Sequence, residues 1–266
     1  MGSQLQSSAS QLIEQFGEQR VLAFFLVLAR LSPLFLLAPL FSSKMVPARV
    51  RGIVAVALAI GISPVVGRHA LPTDVLGIGS LLTKEMLVGA AFAYTLAATF
   101  AAIAVAGTFL DTSIGFSFGS LVDPVNGNQG AVISTAYSLI GLLVFIAISG
   151  DAWVIQGLAR TYDVVGLTDY PSLGRLVAGT GQAFVQIFVS ALEVAGPVLL
   201  ALVLTDAAFG VITRVVPQLN VFQVGLPAKV VVGLLLIGAT MPFVAGWIAN
   251  QLQADVGAAL DTLRVG

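Results

Sequence analysis

The chain has 266 residues, with 12 Lys plus Arg against 13 Asp plus Glu, one His and no Cys. Hydrophobic residues make up 58% and charged residues only 9%, far below the ~25% charge of soluble domains, and the mean hydropathy is +1.00. These values exclude an ordinary soluble domain, disulfides, thiolate metal sites and, with His69 alone, a multi-His metal centre. The net charge of −1 offers no basic surface for nucleic acid. The fold class is all-α, a polytopic membrane protein with about six long apolar helical segments, and no cofactor is expected.

Met1 to Gln19 is polar, with Leu12, Ile13 and Phe16 at near-helical spacing. It reads as an interfacial helix leading into the first span, or as a frayed terminus. No positive charge precedes Arg20, so a secretory signal is not expected. The first apolar segment, Val21 to Leu40, is long enough to cross a bilayer, which takes ~20 residues. Arg30 lies near its middle and must face protein or water; Asp111, Glu193 and Asp206 are its candidate partners. Pro33 and Pro39 are expected to kink or end this helix. The loop Ser42 to Arg51 holds Lys44, Arg49 and Arg51, which points it to the cytoplasm. Counted over all the loops together, Lys and Arg divide almost evenly between the two sides, so orientation rests on this loop.

The second segment, Gly52 to Val66, is short and ends at Ser63-Pro64. After a mixed loop, Gly67 to Thr83, the third runs from Met86 to Leu110, and its Ala and Gly residues allow close helix approach. Asp111 to Gly130, DTSIGFSFGSLVDPVNGNQG, is too polar and glycine-rich to continue a membrane helix. Its first half is too apolar for a plain solvated loop. Irregular backbone near membrane depth is tolerated only where protein covers it or where it lines a cavity. The stretch therefore reads as a loop folded back into protein, either a gate or a re-entrant turn, with Phe116, Phe118, Leu121 and Val122 as its apolar contacts.

Ala131 to Ser149 is the fourth segment. Asp151 to Arg175 is more polar, and Trp153, Ile155 and Leu158 suggest an interfacial helix in its first half. The fifth segment, Leu176 to Leu204, is interrupted by Glu193 and by Gly196-Pro197. Asp206 to Lys229 is expected to be a connecting loop, Val230 to Asn250 the sixth segment, and the remainder a polar tail.

Two chemical readings compete. Gly115-Phe116-Ser117-Phe118-Gly119 matches the G-x-S-x-G nucleophile elbow, which needs a strand before it and a helix after it. An Ala-rich helical run precedes it here, and His69 is the sole imidazole. The same residues also form a small-xxx-small packing motif. Arg30, Glu193 and Asp206 could instead serve an ion path in a stand-alone membrane transporter, or simply pair to fix helix register.

Three stretches carry a resemblance: PLFSSKMVPARVR at Pro39 to Arg51, GTFLDTSIGFSFGSLVDP at Gly107 to Pro124, and RVVPQLNVFQVGLPAK at Arg214 to Lys229. In order and spacing they are similar to the FliR family of the flagellar and type III secretion export apparatus. The resemblance covers nearly the whole chain. It implies a non-enzymatic subunit of a helical hetero-oligomeric export gate, built with FliP-like and FliQ-like subunits and surrounded by an FlhB-like switch protein. Unfolded export substrates pass through such a gate in the bacterial inner membrane, at the flagellar basal body. It further implies a FliP-like part over 1–175 with a plug loop at 111–130, a FliQ-like helical hairpin over 176–250, and a polar tail over 251–266. The plug would be carried by Gly115, Phe116, Phe118, Gly119, Leu121, Val122, Asp123 and Pro124. The turn holding Pro217, Gln218, Asn220, Phe222, Pro227 and Lys229 would face the switch protein. Asp111 also matches the family pattern, and capping of the following helix is its ordinary use.

Overall fold

A computed structural model of the chain describes residues 2–38, 46–66, 71–72, 74–116, 132–216 and 221–263. Among the described residues there are seven helices and no strand. They are α1 (Gly2–Leu37), α2 (Ala48–Val66), α3 (Val75–Ile114), α4 (Val132–Ala147), α5 (Gly150–Val164), α6 (Leu173–Val215) and α7 (Val221–Leu263). The all-α expectation holds.

Four helices are long and apolar enough to cross a membrane: Gly17–Leu37 within α1, α3, α6, and Gln223–Leu263 within α7. The pair α4 and α5 passes as one further, broken span, bent by 73°. Ser149 sits at that break with φ 55, a left-handed conformation uncommon outside glycine. The expected second segment is helical, as α2, but Arg49 and Arg51 stand in its first turn and it is not among the candidate spans.

Several helices outrun their apolar stretches. The α3 helix starts at Val75 rather than Met86 and continues past Leu110 to Ile114. Residues 206–215 extend α6 and residues 221–229 begin α7, so most of the expected Asp206–Lys229 loop is helical. Amphipathic turns outside the apolar stretch still close backbone hydrogen bonds, which hydropathy does not register. Pro33 does not end α1 either. A proline leaves the carbonyl four residues before it without its helical donor, and here the Ser32 hydroxyl donates to that carbonyl, Ala29 O, at 2.9 Å.

The chain forms two compact units. The first comprises Met1–Ala97, Ala152–Gly181 and Asp255–Gly266, the second Ala98–Asp151 and Gln182–Ala254. In the first unit α1 packs on α2, and Ala23, Leu26, Leu71, Leu81 and Leu167 form a buried cluster. The Gln19 amide clamps Leu71, donating to its carbonyl (3.1 Å) and accepting from its N–H (2.8 Å). A Cβ on Gly89 would collide with the Arg30 carbonyl, so a missing side chain sets the α1–α3 approach. In the second unit a Cβ on Gly107 would strike the Ser134 backbone, and α3 and α4 meet closely there. The α6 and α7 helices run antiparallel in this unit: Lys229 Nζ donates to Asp206 Oδ2 at 2.6 Å and Trp247 Nε1 to Glu193 Oε2 at 3.2 Å.

Candidate functional site

The break after α3 is built by two residues. Gly115 has φ 103, open to glycine and costly for a residue with a Cβ. The N–H groups of Gly115 and Phe116 both donate to Asp111 O, at 3.1 and 3.0 Å. A left-handed glycine just past the helix, with the next N–H bonded to the carbonyl five residues before it, is a Schellman stop. The Asp111 side chain does a second job. Its Oδ1 accepts from Ile133 N at 3.0 Å and its Oδ2 from Ser134 N at 2.9 Å, satisfying orphan donors in the first turn of α4 and placing negative charge at the positive end of that helix. The Ser134 hydroxyl donates to Ala104 O at 2.7 Å. One buried residue therefore closes α3 with its carbonyl and opens α4 with its carboxylate, holding both roots of the intervening segment.

Phe116 lies at the start of that segment and is 37% exposed. Phe118, Gly119, Leu121, Val122, Asp123 and Pro124 lie outside the described residues, as do Pro217, Gln218 and Asn220. Phe222 is in the first turn of α7, and Pro227 and Lys229 are further along it, within a helix rather than a loop.

Arg30 has a partner that the sequence reading passed over. Its Nε donates to Glu85 Oε2 and its Nη2 to Glu85 Oε1 at 3.0 Å, a bidentate pair with both side chains fully buried. Nη1 donates to Thr161 Oγ1 at 3.0 Å and Nη2 also to Val165 O at 2.9 Å. The guanidinium carbon lies 3.8 Å from the centroid of the Tyr162 ring, in cation–π range. Lys84 Nζ meets Glu85 Oε1 at 2.6 Å and donates to Gly166 O and Leu167 O, each at 2.9 Å. Two cations thus share one carboxylate and three carbonyls just beyond the C-terminal end of α5, the end whose dipole favours positive charge. A lone basic side chain at the centre of a span costs about 2.5–3.5 kcal/mol on the insertion scale, and this cage offsets that cost.

Of the candidate partners Asp111, Glu193 and Asp206, none holds Arg30: Asp111 caps α4, Asp206 pairs with Lys229 and Glu193 accepts from Trp247. The expected span begins at Met86, so Glu85 falls just outside the apolar pattern. The α3 helix begins at Val75, so Lys84 and Glu85 stand well inside it. No group of three or more metal-ligating side chains occurs among the described residues.

The sequence profile described as bacterial export proteins, family 1, matches residues 21–254. The chain belongs to this family. It is 29% identical over 222 residues to the flagellar biosynthetic protein FliR of Escherichia coli, covering 84% of this chain and 85% of that one. It is 30% identical over 238 residues to FliR of Bacillus subtilis, covering 88% and 92%. It is 25% identical over 211 residues to the surface presentation of antigens protein SpaR of Salmonella typhimurium, covering 79% of each. As a FliR-family membrane protein of a bacterial export apparatus, the chain keeps Asp111 and the whole central stretch inside the matched region.

Proposed function

We propose that this chain is a non-enzymatic subunit of the type III secretion export gate, in the flagellar system, and forms the protein-conducting entry pore with FliP-like and FliQ-like subunits. The observation that carries this reading is the match to the export family and to flagellar FliR proteins over most of both chains. The complex sits in the inner membrane at the flagellar basal body. There an FlhB-like switch protein meets the α6–α7 turn, and unfolded substrates are its cargo. Residues 1–175 are the FliP-like part, 176–250 the FliQ-like hairpin, and 251–266 the tail.

The segment beginning at Gly115 plugs the pore. A protein-conducting pore must pass an unfolded chain while holding back ions, and a constriction of apolar side chains achieves this by dewetting. Phe116, Phe118, Leu121 and Val122 supply bulk. Gly115 and Gly119 let the backbone swing, and Asp123-Pro124 ends the moving part by restricting the residue before proline. The Asp111 bonds support this reading, because they would keep the two roots of a moving segment in place.

Replacing Phe116 and Phe118 together with Gly is expected to raise ion leakage across membranes containing the assembled complex. Unchanged conductance, with the complex intact by native mass, would overturn the plug assignment. A tagged wild-type chain that co-purifies with no FliP-like or FliQ-like subunit, where those subunits are expressed, would overturn the gate itself.

A further inference from the structure

Between Arg175 and Asp206, α6 contains one charged residue, Glu193. A hydrocarbon core takes ~20 residues of helix, and every such window free of the other charges of α6 includes Glu193. Wherever α6 crosses the membrane in that interval, Glu193 crosses with it. The antiparallel helix α7 has no charged residue from Val230 to Ala254.

Glu193 is nonetheless exposed in this chain. Among the described residues its carboxylate accepts one hydrogen bond, from the Trp247 indole at 3.2 Å, while a carboxylate has room for about four. The second unit contains two cations, Arg214 and Lys229. Lys229 is engaged with Asp206. Arg214 lies 21 positions along α6, about 31 Å at 1.5 Å per residue. No ion pair to Glu193 occurs among the described residues.

The surroundings of this carboxylate are shaped for a neighbouring helix. Pro197 has no N–H, so the backbone carbonyl of Glu193, four residues earlier, also lacks its helical donor. A Cβ on Gly196 would meet nothing within 4 Å, so the backbone is open to close approach there. Val189, Leu192 and Leu200 flank it and are 51%, 54% and 63% exposed. The patch is an apolar rim around acceptors that have one neutral donor among the described residues, at a depth where water does not supply more.

We propose that this face of α6 docks a transmembrane helix of a neighbouring export-apparatus subunit, and that Glu193 pairs there with a Lys or Arg of that helix. The proposal rests on the export-gate reading, since it needs a partner subunit. The occupant is a protein helix rather than lipid, because acyl chains offer no donor for a charged side chain at membrane depth. It carries a cation, because every polar atom left over on this face is an acceptor.

The test is native mass spectrometry of the complex co-expressed with its partner subunits, comparing Glu193→Gln, Glu193→Asp and Glu193→Lys with wild type. Glu193→Gln keeps the size of the side chain and its bond from Trp247 while removing the charge. It is expected to lower the retained partner subunit at least several-fold, with Glu193→Asp near wild type and Glu193→Lys retaining none. Reversing one intramembrane Lys or Arg of the partner to Glu is expected to restore assembly of Glu193→Lys. Full assembly of Glu193→Gln and Glu193→Lys would overturn the proposal, whether or not export then failed. Failure of every partner reversal to rescue Glu193→Lys would overturn it as well. If the wild-type chain itself retains no partner subunit, the export-gate reading falls first, and the two failures are told apart by that control.

Discussion

The two units handle intramembrane charge in opposite ways. In the first, Arg30, Lys84 and Glu85 are buried and closed on themselves by Thr161 and the carbonyls of residues 165–167. In the second, Asp111 spends its carboxylate on the first turn of α4, while Glu193 faces outward with one neutral donor. A satisfied cage fixes the helices that build it, whereas an acceptor without a cation makes the fold depend on something else. The difference separates charges that hold a subunit together from charges that hold subunits to one another.

The largest expected effect breaks the closed side. Glu85→Gln leaves Arg30 and Lys84 facing each other in a buried site without an anion. Removing one partner of a buried pair costs about 3–5 kcal/mol, so a steep loss of thermal stability in detergent is expected. Arg30→Met should cost less, because Lys84 keeps Glu85 paired at 2.6 Å. Equal losses for the two variants would mean that Lys84 contributes nothing to the balance.

How much of this was legible in the sequence follows the same divide. The apolar segments, their helical nature and a break after the third segment are readable, because hydropathy and glycine act locally; the break is expected at Asp111 and falls after Ile114. The unfavourable position of Arg30 is readable too. Its partner is not, because Glu85 lies 55 residues away and just outside the apolar stretch. Pro33, expected to kink or end the helix, does not end it, and a single hydroxyl on Ser32 supplies the donor that proline removes. Asp111 was seen as a cap, but its second role in closing α3 depends on the left-handed Gly115, which the sequence only permits. The pairing of Asp206 with Lys229 was hidden by reading both as loop residues.

A smaller effect sharpens the role of Asp111. Asp111→Ala removes an acceptor from two N–H groups at the start of α4, and loss of a cap costs about 0.5–2 kcal/mol. Asp111→Asn keeps one acceptor oxygen and should lose about half as much. Amide hydrogen exchange should quicken at Ile133 and Ser134 in both variants. The Schellman bonds to the Asp111 carbonyl are backbone bonds, so Gly115 and Phe116 should be spared. Faster exchange at all four amides would show that the two ends are not held independently.

The smallest effect is expected at Lys229, whose ion pair with Asp206 resembles the buried cage in length and differs in setting. The side chains are 19% and 56% exposed. Ion pairs open to solvent contribute about 0–1 kcal/mol, since side-chain ordering and screening consume most of the attraction. Lys229→Gln should therefore leave the melting temperature of the chain nearly unchanged, and raising the salt should erase what difference there is. If the α6–α7 turn meets a partner, the same substitution should lower co-purification of the switch protein while stability stays put. A loss of stability comparable to that of Glu85→Gln would mean that the pair is enclosed in the folded chain. The contrast between closed and open charges would then no longer follow from burial.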